Sequence, residues 1–359
     1  MKIWVDICHT PQYNFYRNFV LRLVREGHEV FITILRRGKT PVIVRQELTA
    51  VLAEMPAGAG KRVHIFDIGH HRMTKWSAMV EANLLRLCEL FLWRLRHRVD
   101  AAFGNGMQPA IIQAVFHGRS YSFDDDPQTM DFRPKARYNT ECNFCLYEDA
   151  AIAAYGGNVQ VLRCLKEWAY LAPNVFTLNH QVLDKYGVQP KEYIFLREVS
   201  VGTINYASQA PQAILAVKDL IAKTSMKVLF SLEEKHRRNE YPEDWILLQE
   251  PIEDIHSLIY YAAGLVSSGD SMAREAALLG IPAYYLGIRY SMPANAAASK
   301  VAGLQNELTM PFEEWIEKVD ELRNEGVERL TEEQIKLRQH IDEEFIDINQ
   351  YMLGLVEKK

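Results

Sequence analysis

The sequence predicts an α/β fold made of two Rossmann-like domains. Three observations carry this prediction. Short apolar, β-branched runs alternate with segments of helical period from the start of the chain to about residue 162. The rhythm then breaks at Leu171–Gly187, around Pro173 and Asn174, and a second alternating series follows. Within that series, Ser267–Gly287 reads as a strand end, a turn of small residues, an Ala-rich helix, an exit turn at Gly280-Ile281-Pro282 and a new strand. A length of 359 residues suits two domains of ordinary size.

The elements follow in order. Lys2–Asp6 is a short apolar strand, and Tyr13–Glu26 has helical period with Phe15, Phe19, Val20, Leu23 and Val24 on one face. Gly27 stands where a helix stops. Glu29–Leu35 is a β-branched strand, which completes a βαβ unit with an expected right-handed crossover. Next come a helix at Pro41–Met55, a strand at Arg62–Asp67 and a long helix at Thr74–Arg98. A strand at Ala101–Phe103, a helix at Gln108–Phe116 and strands at Ser120–Asp124, Cys142–Tyr147 and Val159–Leu162 complete the first half. The second half opens with a strand at Tyr193–Arg197 and a helix at Ala210–Lys223. Strands at Lys227–Ser231 and Trp245–Gln249 and a helix at Ile255–Ala263 lead to the Ser267 unit. Glu332–Glu357 is strongly helical.

Composition narrows the function classes. A net charge of −5 with no long run of like charge argues against a general nucleic-acid binder. Five cysteines, an odd number without a regular framework, point to a reducing cytoplasm. Met1–Lys2 runs straight into a strand, so no signal peptide is expected, and no apolar run is long enough to span a bilayer.

Ligands of parallel sheets bind beyond the carboxyl ends of the strands, so residues just after strands are the candidates, here converging on a cleft between the two domains. In the first half these are Asp6-Ile7-Cys8-His9-Thr10, Gly104-Asn105-Gly106 and Asp124-Asp125-Asp126; in the second, Arg197, Ser231, Pro251 and Ser267–Ser271. His9 reads either as a general base near neutral pH or as a loop residue at a helix start. Asp6 reads as a structural carboxylate or a site residue. The triple Asp124–Asp126 should raise at least one pKa if enclosed, which would suit Asp125 to acid–base work; a divalent-metal site or a solvated turn are the other readings. Arg197 would clamp a diphosphate. The turn Ser268-Gly269, with the amides of Ser271 and Met272, would offer N–H groups to phosphate at a helix N-terminus, and Glu275, one turn in, would reach ribose hydroxyls. Cys142-x-x-Cys145 lacks a second ligand pair and would point its side chains to opposite sheet faces, so zinc is not expected. The helix around Leu84–Val99 carries Arg86, Arg94, Arg96, His97 and Arg98, either as a core helix with a solvated basic end or as a face for anionic lipid.

The segment SSGDSMAREAALLGIPAYYLG resembles the nucleotide-sugar site of GT-B proteins, in particular the SGG-x-x-x-E segment of UDP-N-acetylglucosamine 2-epimerases. It is closer still to an uncharacterised GT-B-like family that carries a near-identical MAREAALLG-P run. The opening MKIWVDICHTPQYNFYRNFVLRLVREGHEVFIT and the segment LKEWAYLAPN also resemble that family, so the resemblance spans Met1 to about Leu308. It implies a GT-B arrangement with an acceptor-side domain at 1–172, a nucleotide-sugar-side domain at 173–331 and a last helix at 332–359 crossing back to the first domain. It also implies a nucleotide-sugar substrate without a further cofactor, a divalent metal being optional. A saccharide or lipid-linked acceptor, and with it contact at a membrane surface, would follow. The chain departs from the pattern in places. Glu198 follows Arg197 where the family usually has Pro, Asp270 stands where the pattern has Gly, and Met292 and Ala294 replace Arg and Glu of an Arg-Pro-Glu-x loop. A carboxylate at position 270 would repel a diphosphate unless it turns away or caps the helix. Three functions remain open on the sequence: a glycosyltransferase, a nucleotide-sugar 2-epimerase, and a binding protein with a lapsed donor site.

Overall fold

A computed structural model describes residues 1–71, 77, 80–127, 137–138, 140–153, 158–202, 206, 208–249, 252 and 254–358. The chain divides into two compact units. The first is Met1–Tyr170 with Ile346–Lys359, the second Leu171–Phe345.

The first unit is a seven-stranded sheet, parallel in every pairing, in the order β3-β2-β1-β4-β5-β6-β7. Its strands are β1 (Lys2–Ile7), β2 (Glu29–Arg36), β3 (Val63–His70), β4 (Ala101–Phe103), β5 (Arg119–Asp124), β6 (Glu141–Cys145) and β7 (Val159–Leu162). Burial on both faces explains the near-continuous apolar runs of β1, β2 and β4. The helix α1 (Thr10–Arg25) buries Phe15, Tyr16, Phe19, Leu23 and Val24, and the chain leaves it through Gly27 at φ 85°. The helix α2 is Thr40–Ala53.

The expected start of the long helix at Thr74 lies outside the described residues. From Glu81 it is a π-helical turn, Glu81–Leu85, followed by α3 (Arg86–Arg96). Its basic face is smaller than the sequence suggests. Arg86 and Arg94 are buried, and the Arg94 guanidinium donates to Gln113 and to the carbonyls of His97 and Val99. That leaves Arg96 and Arg98 exposed beside the exposed Leu84, Leu85, Leu92 and Leu95. The helix α4 is Met107–Val115.

The second unit holds a five-stranded parallel sheet in the order β10-β9-β8-β11-β12. The strands are β8 (Tyr193–Glu198), β9 (Lys227–Leu232), β10 (Ile246–Leu247), β11 (Gly264–Ser267) and β12 (Ala283–Tyr285). Its helices include α5 (Ile255–Tyr261), α6 (Asp270–Leu278), α7 (Pro293–Ala302), α8 (Phe312–Asn324) and α9 (Val327–Glu344). The expected helix at Ala210–Lys223 is two short ones, Ala213–Ala216 and Lys218–Ala222, broken at Val217. Gly280 ends α6 at φ 79°, and a Cβ there would lie 2.7 Å from the Gln334 carbonyl of α9. Only glycine allows α9 this close.

The segment expected as one helix from Glu332 is two. The helix α9 ends at Glu344, Phe345 is extended, and Asp347 caps α10 (Ile348–Glu357) by accepting the Gln350 N–H at 3.0 Å. The helix α10 belongs to the first unit. It buries Met352, Leu353, Leu355 and Val356, its Leu355 carbonyl accepts from Tyr121 at 3.1 Å, and Arg22 of α1 meets Asp347 at 2.9 Å. No helix among the described residues is long and apolar enough to cross a membrane.

Candidate functional site

In both sheets the strand order reverses at one place, between β1 and β4 and between β8 and β11. The strand ends flanking these switch points carry the candidate residues.

In the first unit, Asp6 at the end of β1 is buried and structural. Arg86 grips it with two hydrogen bonds, 2.7 and 3.2 Å, and Thr33 adds one at 2.5 Å. Trp4 in turn donates to Thr33 at 2.7 Å. Such a fork-to-fork pair fixes the β1–α1 loop rather than serving a ligand. Burial, with Asp6 next to it, pushes the Cys8 thiol up to about 12, so it is not a thiolate nucleophile.

His9 sits at the N-cap of α1 with an extended backbone and no side-chain capping bond. Burial, together with the cations of Lys166 and Arg37, lowers its pKa to about 4 against an opposing pull from Asp125. The imidazole is therefore neutral at physiological pH. Asp125 and His9, both expected as catalytic, are thus brought into one electrostatic cluster by a residue that sequence reading missed. Lys166 donates to Asp125 at 3.2 Å, both side chains being mostly buried. Burial disfavours the ammonium, but Asp125, Asp124 and Glu167 outweigh it and hold Lys166 protonated. This cation offsets the mutual repulsion of the acidic triple that was expected to raise a carboxylate pKa. Asp124 is also engaged locally: its Oδ1 accepts the N–H groups of Asp125 and Asp126 at 2.9 and 3.4 Å. In the sequence Lys166 stands between Leu165 and Glu167 in the LKEWAYL segment, four residues after β7, with nothing local to mark it as a site residue.

In the second unit, Arg197 ends β8 and donates to Ser231 at 2.8 Å and to Glu233. Glu198 does not face the same way. Its carboxylate accepts the Ile214 N–H at 2.8 Å at the start of the next helix, which accounts for an acidic residue after Arg197. Pro251 lies outside the described residues. Ser268 is fully buried; its N–H goes to the Arg197 carbonyl at 2.9 Å and its hydroxyl accepts from Val199 at 2.9 Å. The Gly269 N–H is taken by the Ser267 hydroxyl at 3.0 Å, and a Cβ on Gly269 would strike Val199 at 2.6 Å. Ser268 and Gly269 thus hold the turn together. The amides of Ser271 and Met272 open α6, and Glu275 lies one turn on, 3.4 Å from His256 of α5.

Asp270 does not point away from the start of α6. Its Oδ1 accepts from the Ser271 N–H at 2.9 Å and from the Tyr206 hydroxyl at 2.7 Å. Its Oδ2 accepts from Arg289 at 3.1 Å and lies 3.7 Å from Arg274. Arg274 donates to Asn295 at 2.7 Å, and Asn295 donates back to the Arg289 carbonyl at 2.6 Å. Burial and the Asp270 carboxylate push the Tyr206 phenol upward, so it remains a donor. The result is a closed ring of Asp270, Arg289, Asn295 and Arg274. Asn295 supplies the polar anchor that Met292 and Ala294 lack.

No group of three or more His, Cys, Asp or Glu among the described residues would hold a metal ion. Cys142 and Cys145 are buried in β6 and free of any disulfide.

Two parallel sheets, each with helices and a single switch point, match solved structures over the whole chain. A putative UDP-N-acetylglucosamine 2-epimerase from Listeria monocytogenes is 11% identical, with 99% of this chain and 96% of that one covered and a TM-score of 0.67. The UDP-GlcNAc 2-epimerase from Methanocaldococcus jannaschii is 11% identical over 99% of both chains, with a TM-score of 0.61. The spinosyn rhamnosyltransferase SpnG complexed with thymidine diphosphate is 13% identical over 100% of both, with a TM-score of 0.59. The fold is GT-B. At such identities the GT-B likeness establishes architecture and not chemistry. No protein-family model matches the chain, and no curated protein matches it either.

Proposed function

We propose that this GT-B chain is a glycosyltransferase using a nucleotide-sugar donor, acting on a saccharide or lipid-linked acceptor in surface polysaccharide or glycoconjugate synthesis. The observation that carries the reading is the grouping of His9, at the N-cap of α1, with the Lys166–Asp125 pair at the carboxyl end of the first sheet, where burial lowers the His9 pKa. Glycosyl transfer requires a base that takes the proton of an acceptor hydroxyl as that oxygen attacks the anomeric carbon and the sugar–phosphate bond breaks. His9 is that base. Asp125 keeps Lys166 charged and partly opposes the burial and the nearby cations that make His9 a weak base. In the second unit, Glu275 takes the ribose, while Arg197 and the Ser271 and Met272 amides lie on the diphosphate side. The SpnG neighbour, solved with thymidine diphosphate and also with spinosyn aglycone, supports a donor and an acceptor for a protein of this fold. Epimerisation would need carboxylates as proton carriers, and those of Asp124 and Asp125 are already engaged. A lipid-linked acceptor would bring the chain to the cytoplasmic face of a membrane, with the exposed leucines of α3 beside Arg96 and Arg98 as the contacting face.

The test is nucleoside diphosphate release from UDP-, TDP- and GDP-sugars, with and without a mixture of saccharide acceptors, in the wild type and Glu275→Ala. Release only with acceptor, lost in the variant, is the expected result. Release without acceptor would establish the epimerase reading. No binding of any nucleotide by calorimetry would overturn both.

A further inference from the structure

The first unit has a cavity of about 610 Å³ at the edge of its sheet opposite to the candidate site. It lies between the end of α4 and the amino ends of β5 and β6, and His117, Arg119, Arg137, Tyr138 and Glu141 line it. Arg119 and Glu141 are the first residues of β5 and β6, whereas Asp124 is the last residue of β5. The length of β5, roughly 17 Å at ~3.3 Å per residue, separates the two edges. The cavity is therefore not the place where His9 and Asp125 meet.

Two guanidinium groups face one carboxylate in this lining. Arg137 is exposed and has no hydrogen bond or ion pair among the described residues. Arg119 gives one N–H to the Lys358 carbonyl and lies beside Tyr121, and a guanidinium has further donors. Glu141 accepts from Tyr351 at 3.3 Å through one oxygen. His117 adds a backbone signal. It leaves α4 at φ 52°, the left-handed conformation in which a helix exit ordinarily carries glycine. The Gly118 N–H closes that exit on the Gln113 carbonyl at 2.8 Å. An imidazole is thus kept at the cavity wall at a conformational cost that glycine would not carry.

We infer that this cavity is a second ligand site of the first unit and takes a phosphate monoester of a sugar or a nucleoside. Arg137 and the remaining donors of Arg119 meet the phosphate oxygens, which suit the planar fork of a guanidinium. Glu141 accepts from ring hydroxyls and keeps the phosphate at the arginine end. Tyr138 offers a ring face to the rest of the ligand. The volume is in the range of small-molecule sites. Such a ligand lies too far from His9 to take part in the proton transfer proposed above.

Calorimetry with glucose 1-phosphate, uridine monophosphate, glucose, uridine and inorganic phosphate tests it on the wild type, Arg137→Gln, His117→Gly and Glu275→Ala. Arg137 is exposed, so its variant is expected to fold. At least one of the two esters is expected to bind the wild type, and which one binds tells sugar from nucleoside. Arg137→Gln should weaken that binding by about tenfold, the loss of one charge-assisted hydrogen bond. His117→Gly should weaken it too while raising Tm, because the left-handed exit then carries no side chain. Glu275→Ala should leave it unchanged. Glucose and uridine should not bind the cavity, and inorganic phosphate should bind more weakly than the ester. Ester binding that Arg137→Gln leaves unchanged overturns the cavity site; its loss in Glu275→Ala would then place it in the second unit, with the transferase reading standing. Inorganic phosphate bound as tightly as the ester, or no binding of either ester, overturns the site as well.

Discussion

Lys166 and Lys191 are both largely buried lysines, one in each unit, and their surroundings act on them in opposite directions. Lys166 faces Asp125, Asp124 and Glu167, which hold it protonated despite its burial. Lys191 is 3% exposed and meets neutral acceptors: the carbonyls of Tyr260 and Ala262 at 2.9 and 3.0 Å, and Gln334 at 2.7 Å. Burial lowers its pKa to about 7. The same residue type is thus a permanent charge beside a histidine in one unit and a tie between β8, α5 and α9 in the other. What separates a chemical from a structural lysine here is the charge of its neighbours, not its degree of burial. In the Asp6–Arg86 pair, too, the two charges meet each other, and the pair fixes a loop.

The contrast breaks most visibly at turnover. His9→Gln is expected to lower it by about 10²–10⁴-fold with the fold retained by circular dichroism, whereas Lys191→Met should leave turnover within about twofold. Equal losses in the two would mean that the first unit's cluster is not where the proton moves. Next in size is Arg86→Met, which strands a buried carboxylate and should lower unfolding free energy by about 3–5 kcal/mol in urea. A loss under ~1 kcal/mol would show that Asp6 is not held as the geometry has it.

Lys191 binds a proton in the unfolded chain up to about pH 10.5 and in the folded chain only up to about 7. Between these values the unfolded state holds more protons, so stability rises with pH, by up to about 1.4 kcal/mol per unit, and is lost again as pH falls toward 7. Urea unfolding of wild type and Lys191→Met from pH 7 to 9.5 should give a steeper rise in the wild type; parallel curves would count against a neutral lysine. The smallest effect concerns Lys166. Its charge lowers the His9 pKa, so Lys166→Met should move the acidic limb of kcat/KM upward from about pH 4, by roughly one unit for the loss of one nearby charge. A limb that stays in place would separate His9 from Lys166.

Much of this architecture is legible in the residues. Hydrophobic period and the stops at Gly27 and Gly280 mark the strands and helices because those signals are local. The breaks at Val217 and at Phe345–Asp347 were not legible, since a long helical period continues through both and only caps and packing interrupt it. Candidate residues after strands could be named one by one: Asp6, His9, Asp125, Arg197 and the Ser268–Glu275 segment. Their partners could not. Arg86 lies 80 residues from Asp6, Lys166 lies 41 from Asp125, and Tyr206 lies 64 from Asp270. Spacing says nothing about which of these meet. The Asp270 departure was visible, and its compensation by Arg289 and Asn295 was not, because the ring closes only in three dimensions.

The return of α10 to the first unit has a consequence for synthesis. Most of this unit precedes the second in the chain, yet Tyr121 donates to, and Ala169 and Asn143 accept from, a helix made after the whole second unit. On the ribosome the unit begun first is completed second. Its sheet must wait, with the face that α10 will cover still open to water and to chaperones, while Leu171–Phe345 is made and closes on itself.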